Sequence, residues 1–245
     1  MGEVISLISG KGGTGKTTLC AGLASCIAAE GHRVLCIDGD IGLRNLDIAL
    51  GMSEQPTISF MDVIQANYPL NSATVHAQLK TLQLLTAPVR ENDSLVDIEA
   101  FGRMIAQAKL EYDYIFIDSA AGIGNGFRLA TEFADHVLVV CTPDPSSLRD
   151  AERAADLLSL RGKEEMHLIV NRVRPRALSK IGLTIDDVMD STGLPLIGLV
   201  PEDPNVLYAA ASSTPLVYAT ERGAAEACLR IADRLQGETV PLMKL

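Results

Sequence analysis

Short apolar runs that end in small or acidic residues recur along the chain. They lie at Val4–Ser9, Val34–Asp38, Leu82–Ala87, Tyr114–Asp118, His136–Thr142, His167–Val173 and Leu196–Val200, and read as strands. Stretches with helical spacing fall between most of them: Lys16–Glu30, Ile58–Ala66, Leu95–Lys109, Ser146–Leu160, Ile185–Met189, Asn205–Ala211 and Ala224–Leu235. Strands alternating with helices imply right-handed crossovers and a mainly parallel sheet with helices on both faces. The runs YIFID and HVLVVCT are continuously apolar rather than alternating, as expected of strands covered on both sides. The expected fold is therefore α/β, a doubly wound, mainly parallel sheet flanked by helices. With no internal repeat, low-complexity segment or linker, one domain over residues 1–245 is expected, ending in a short tail from residue 236. Such a fold binds ligands beyond the carboxyl ends of its strands. The chemically loaded segments sit there: Ser9–Thr18, Asp38–Asp47, Asp118–Gly126, Asn171–Arg172 and Pro201–Asp203.

Composition narrows the function classes. A hydrophobic content of 47% over 245 residues suits a globular protein with a large core. A net charge of −10 argues against a broad nucleic-acid-binding face, so no nucleic-acid partner is expected. The five cysteines are scattered without a CxxC pair, which fits buried thiols in a reducing compartment and disfavours an iron–sulfur centre. The N-terminus enters a strand directly and no apolar run approaches the ~20 residues of a membrane span. A cytoplasmic location is the expectation.

Residues 10–18, GKGGTGKTT, satisfy two motifs. Gly10, Gly12 and Gly15 fit the dinucleotide pattern GxGxxG, with Asp38 at the next strand end. Gly10, Gly15, Lys16 and Thr17 fit the phosphate loop GxxxxGK[ST]. A dinucleotide site has no use for Lys16-Thr17-Thr18 at a helix start, whereas a triphosphate site needs them. Amides of Gly12, Gly13, Thr14 and Gly15 wrap the phosphates, Lys16 bridges the β and γ groups, and the Thr17 hydroxyl serves Mg²⁺. Asp38, Asp40 and Asp118 then become candidates for the metal and the attacking water, although strand-end aspartates are also common turn-formers and caps. A lysine at position 11, in front of a loop that already carries Lys16, has on these grounds no assigned task beyond solvation.

KGGTGKTT with its leading lysine resembles the deviant Walker A motif of the MinD/ParA family of P-loop ATPases. The resemblance runs from about Glu3 to Leu235, and the GLRNLD segment is nearer to the MinD branch than to the plasmid-partition branch. It implies that Lys11 reaches the phosphates of a partner subunit, so that ATP drives homodimerisation, with the logic of an arginine finger delivered in trans. It further implies that Asp40 positions the hydrolytic water and Asp38 helps hold the magnesium's water shell, with Lys11, Lys16 and Asp40 catalytic. Asp118, at the end of a Walker B strand, and Thr17 serve the metal, and Asn171, Arg172, Pro201 and Asp203 lie where the family contacts adenine. ATP and Mg²⁺ are the implied cofactors, slow ATP hydrolysis the activity, and division-site selection the role. The implied partners are a division inhibitor and an ATPase activator, with Ser146, Arg149, Asp150 and Glu152 on a docking helix. In the second switch the family's proline after the serine and its glutamate after AGI are replaced here by Ala120 and Gly124. The tail GETVPLMKL, with Pro241 and Lys244, offers a Leu242–Met243–Leu245 apolar tip in place of an amphipathic membrane helix, so a peripheral place on the inner membrane face is a secondary expectation. A ParA-like partition or flagellar-number ATPase, and an ATP-dependent small-molecule ligase of the same fold, are the alternatives.

Overall fold

The computed structural model describes residues 1–88 and 96–244. Eight strands form one sheet: β1 Glu3–Ile8, β2 Val34–Gly39, β3 Thr74–Val75, β4 Leu82–Leu85, β5 Tyr114–Ser119, β6 His136–Cys141, β7 Met166–Val173 and β8 Leu196–Pro201, in the order β3-β4-β2-β5-β1-β6-β7-β8. All neighbours are parallel except β3 against β4. The helices are α1 Lys16–Ala29, α2 Leu46–Ala49, α3 Phe60–Ile64, α4 Ile98–Glu111, α5 Asn125–Glu132, α6 Pro145–Leu160, α7 Pro175–Ile181, α8 Ile185–Thr192, α9 Asn205–Ala211, α10 Leu216–Ala219 and α11 Ala224–Leu235.

Side chains alternate between the two sheet faces, and each face has its own core. Val4, Ile8, Leu35, Ile37, Ile115 and Ile117 point to one side, where they meet Phe60, Phe101, Phe127 and Leu158. Ile5, Leu7, Cys36, Phe116 and Leu138 point to the other and meet α1 and α11. This double covering makes the central strands apolar at every position. α1 is itself wrapped: it is buried over most of its length, and a Cβ at Gly22 would stand 2.8 Å from Cys228 Sγ on α11. All five cysteines are buried free thiols.

The α/β architecture is as expected, with differences in detail. The run Leu82–Ala87 stops pairing at Leu85, leaving Thr86 in a single bridge to Ser59. The run Ile58–Ala66 contracts to α3, because Ser59 caps it in a reciprocal capping box with Asp62. Leu95, the first residue of one expected helix, lies outside the described residues, and the helix there begins at Ile98 on an Asp97 cap. β3, α2, α5, α7 and α10 have two to eight residues, too short for a periodic pattern. The C-terminal segment folds back on α11: Arg230 donates to Pro241 O at 3.2 Å, and Arg234 donates to Val240 O and Ile197 O. Met243 consequently packs toward the core instead of joining an exposed tip, Leu242 is partly exposed, and Leu245 lies outside the described residues. No helix among the described residues is long and apolar enough to cross a membrane.

Candidate functional site

The β1–α1 loop turns over the carboxyl end of the sheet, and two glycines make its path possible. Gly13 and Gly15 hold φ of 81° and 90°, in the left-handed region that costs an L residue energy. The backbone amides of residues 12–18 donate to no acceptor among the described residues, and no acidic side chain occupies the first turn of α1. A helix N-terminus with unpaired amides and a positive dipole end is an anion cradle, and it fits phosphate. The loop is braced from below. Gly122 N donates to Ser9 O at 2.9 Å, the Ser9 hydroxyl donates to Lys11 O at 2.9 Å, and a Cβ at Gly10 would stand 2.5 Å from Asp150 O.

Lys16 is 6% exposed, and its Nζ donates to Asp118 Oδ1 at 2.8 Å. Burial raises the Asp118 carboxyl above the ordinary range, while Lys16 and the nearby Thr17 hydroxyl oppose that rise. Asp118 Oδ2 is buried with no hydrogen-bond partner of good geometry among the described residues. A buried, unpaired carboxylate oxygen beside a threonine hydroxyl and a phosphate cradle fits a hard divalent cation, for which Thr17 and Asp118 would be the holders. Asp38 sits directly across from Asp118 on the adjacent strand. Burial, with Asp118 adding to it, pushes Asp38 up to about 7. Both of its oxygens accept backbone amides: Asp40 N at 2.9 Å, Asn45 N at 3.1 Å and Leu46 N at 3.0 Å. Asp40 is half-buried at the mouth, and its carboxylate accepts no hydrogen bond from the described residues. Burial raises it and Lys16 pulls it back. Ser9, Lys11 to Thr18, Asp40, Leu43, Asn45, Ile48, Ala121 and Arg172 line a cleft of about 400 Å³.

Lys11 stands at the rim of this cleft, with its side chain 44% exposed. Its Nζ donates to Ser146 Oγ at 2.7 Å and lies 3.4 Å from Asp144 Oδ1. Burial alone would raise the Asp144 carboxyl. Hydrogen bonds from Thr142, Ser146 and Ser147, with Lys11 beside it, instead hold it well below the carboxylate range. Asp144 is the site residue that sequence reasoning passed over. Its signal was the Asp-Pro-Ser-Ser start of α6, a helix cap with proline at the first position. Ser146, Arg149 and Glu152 are exposed on α6, whereas Asp150 packs its backbone under the loop at Gly10.

A second cleft, of about 440 Å³, shares Gly15, Thr18 and Arg172 with the first and is closed by Leu19, Val200, Pro201, Val206, Leu207 and Leu216. Its size, apolar walls and position suit a nucleoside beside the phosphate cradle. Of the polar residues expected at a base, Asn171 and Asp203 are partly committed elsewhere. Asn171 Nδ2 donates to Thr14 O at 2.7 Å, and its Oδ1 accepts Arg172 N at 2.8 Å, so it ties the phosphate loop to the bulge at the end of β7. Arg172 takes φ of 54° there and lines both clefts. Asp203 accepts Asn205 N and Ala224 N, each at 2.9 Å, and clamps the β8–α9 loop to α11. Pro201 lines the cleft as expected.

A strand, glycine loop and helix with a buried Lys–Asp pair beneath them, at the carboxyl edge of a parallel sheet, define a P-loop nucleotide-binding protein of the ATPase class. Comparison with known proteins agrees. The CobQ/CobB/MinD/ParA nucleotide binding domain matches residues 5–216. The septum site-determining protein MinD of Helicobacter pylori is 38% identical, over 98% of this chain and 92% of that protein. Its Bacillus subtilis counterpart is 37% identical, over 100% and 93%. Among solved structures, the Aquifex aeolicus MinC:MinD cell division protein complex matches with a TM-score of 0.91 at 36% identity, covering 99% of this chain and 98% of that one. Pyrococcus horikoshii MinD complexed with Mg-ADP matches with a TM-score of 0.84 at 28% identity, covering 96% of each chain. The chain belongs to the MinD branch of the MinD/ParA P-loop ATPases.

Proposed function

We propose that the chain is an ATP-dependent dimerisation switch in division-site selection, hydrolysing ATP to ADP and phosphate with Mg²⁺. The observation that carries this reading is the single mouth onto which the free loop amides, Lys16, Asp40 and the exposed Lys11 all open. Within one subunit Lys16 serves the phosphates, Thr17 and Asp118 hold the cation, and Asp40, whose carboxylate accepts no hydrogen bond among the described residues, orients water. Lys11 is the surplus cation. In cis it rests on Asp144 and Ser146, a partly exposed contact worth little, so it is cheaply released toward a partner's phosphates. Leu43, Leu207 and Tyr208 are 69%, 71% and 67% exposed around the clefts, apolar surface suited to a second copy. Asn171, Arg172, Pro201 and Asp203 shape the nucleoside end, the first and last as braces.

A regulatory partner of the kind present in the MinC:MinD complex, and an activator of hydrolysis, would read the dimer through α6 and the loops that follow β2 and β5. Peripheral membrane attachment is a secondary part of the proposal; among the described residues the segment after α11 folds back on that helix, and Met243 packs toward the core. Phosphate release tests the chemistry. It should require Mg²⁺ and no organic co-substrate, and Asp40→Ala should keep ATP binding while losing turnover. Turnover that depends on an added carboxylic acid would instead place the chain with the ATP-dependent ligases.

A further inference from the structure

Residues 40–46 form a loop after β2 whose two ends meet on one carboxylate. Asp38 Oδ1 accepts Asp40 N at the first end, and Asp38 Oδ2 accepts Asn45 N and Leu46 N at the other. Asp38 is fully buried, the Leu46 bond is buried with it and the Asp40 and Asn45 bonds are part-buried, so its removal would leave three amides without their partner. Inside the loop, Asp40 O accepts from Leu43 N and Arg44 N, and Arg44 takes a left-handed φ of 46°. A non-glycine residue persists there only where its surroundings over-determine it. The Arg44 guanidinium is accordingly held by Asp47 Oδ2 at 2.8 Å and Thr57 Oγ1 at 2.7 Å. The Asp40 carboxylate, by contrast, accepts no hydrogen bond among the described residues, so its place in the phosphate cleft depends on the backbone that Asp38 fastens.

The same residue also neighbours the buried pair beneath the phosphate loop. Asp38 pairs across the sheet with Asp118, whose Oδ1 holds Lys16, the side chain that nucleotide phosphates would claim. Three of the roughly four acceptor positions of a carboxylate are already taken at Asp38, which leaves little for a metal's water shell. We infer that Asp38 is a positioning residue, which fastens both ends of the Asp40 loop and couples it through Asp118 and Lys16 to the occupancy of the phosphate site. This displaces the magnesium role that family resemblance implies for Asp38. The kinetic part of the inference rests on the proposed role of Asp40, whereas the structural part stands without it.

The test uses Asp38→Asn and Asp38→Ala in the full chain, with Asp40→Ala as control. Hydrogen exchange of the nucleotide-free protein reads the loop directly, and hydrolysis against Mg²⁺ concentration reads the coupling. Asn keeps one carbonyl oxygen and the shape, so exchange should quicken at one end of residues 40–46; Ala should quicken it at both, by tenfold or more. kcat should fall in the same order, with the half-saturating Mg²⁺ concentration unchanged. If Asp38→Ala does not fold, Asp38→Asn still reads both arms. Wild-type exchange across 40–46, or a tenfold rise in the Mg²⁺ requirement with the loop still protected, overturns the inference. Faster exchange at unchanged kcat overturns the coupling. An Asp40→Ala variant that hydrolyses normally would show instead that the reading of Asp40 had failed.

Discussion

Asn171 and Gly15 make opposite demands on the same few ångströms, and a double-mutant cycle can measure the conflict. Gly15 has φ of 90°, and a Cβ placed on it would stand 2.3 Å from Asn171 Nδ2. Gly15→Ala therefore carries left-handed strain of about 1–2 kcal/mol. It also drives the Asn171 amide off Thr14 O and the Arg172 amide, one buried and one part-buried hydrogen bond. Leaving those two backbone groups unpaired costs about 2–4 kcal/mol, at about 1–2 kcal/mol each, because the Arg172 bond is only part-buried. Asn171→Ala loses the same two bonds, again about 2–4 kcal/mol, without the strain. In the double variant the bonds are lost once and the methyl group meets no amide. Its cost should thus be about 3–6 kcal/mol, short of additivity by about the 2–4 kcal/mol counted twice. Urea unfolding of the four nucleotide-free proteins measures this, because a domain of ordinary stability, about 5–15 kcal/mol, leaves room for each step. Additivity to within about 0.5 kcal/mol would refute the claim that Asn171 braces the phosphate loop through Thr14.

Three further outcomes are expected. Lys16→Met leaves Asp118 buried and unpaired, so the nucleotide-free protein should lose about 3–5 kcal/mol in urea unfolding besides losing nucleotide affinity. Asp144→Asn keeps the α6 cap but weakens the hold on Lys11, so stability should change by less than about 1 kcal/mol while the ATP-dependent dimer tightens several-fold by analytical ultracentrifugation. Asp38, raised to about 7 by burial, binds more protons folded than unfolded between pH 4 and 7. Its contribution to stability is therefore greatest below the unfolded value and is lost as pH rises through 7, and Asp118 is raised in the same sense. Unfolding free energy of the nucleotide-free protein should fall by a few kcal/mol from pH 5 to 8, and Asp38→Asn should flatten that slope.

The parallel sheet was legible because its strands, apolar on both faces, end in the residues that carry chemistry. YIFID ending at Asp118 and CID at Asp38 announced both the strand and the site. Short elements were not legible. α5 opens with Asn-Gly and has eight residues, and β3 has two, so tertiary contacts rather than periodicity decide them. Within the site, the identities at Gly15, Lys16, Asp40 and Asp118 could be read from spacing. What spacing cannot say is where a side chain's bonds go. Asn171 and Asp203 look like base-reading groups from their position, yet they spend their polar atoms on backbone that comes from 157 and 21 residues away. Asp144 was hidden for the opposite reason, since a helix cap is so common that its second task, holding Lys11, leaves no mark in the sequence.

The central claim is that nucleotide decides whether two copies of this chain share Lys11. Light scattering on Asp40→Ala, with ATP and then ADP, beside the same protein carrying Lys11→Ala, tests it most directly. The account predicts twice the monomer mass of 26.1 kDa with ATP, monomer with ADP, and monomer in both when Lys11 is removed. A mass that ignores the nucleotide, or an ATP dimer that survives the loss of Lys11, would contradict it.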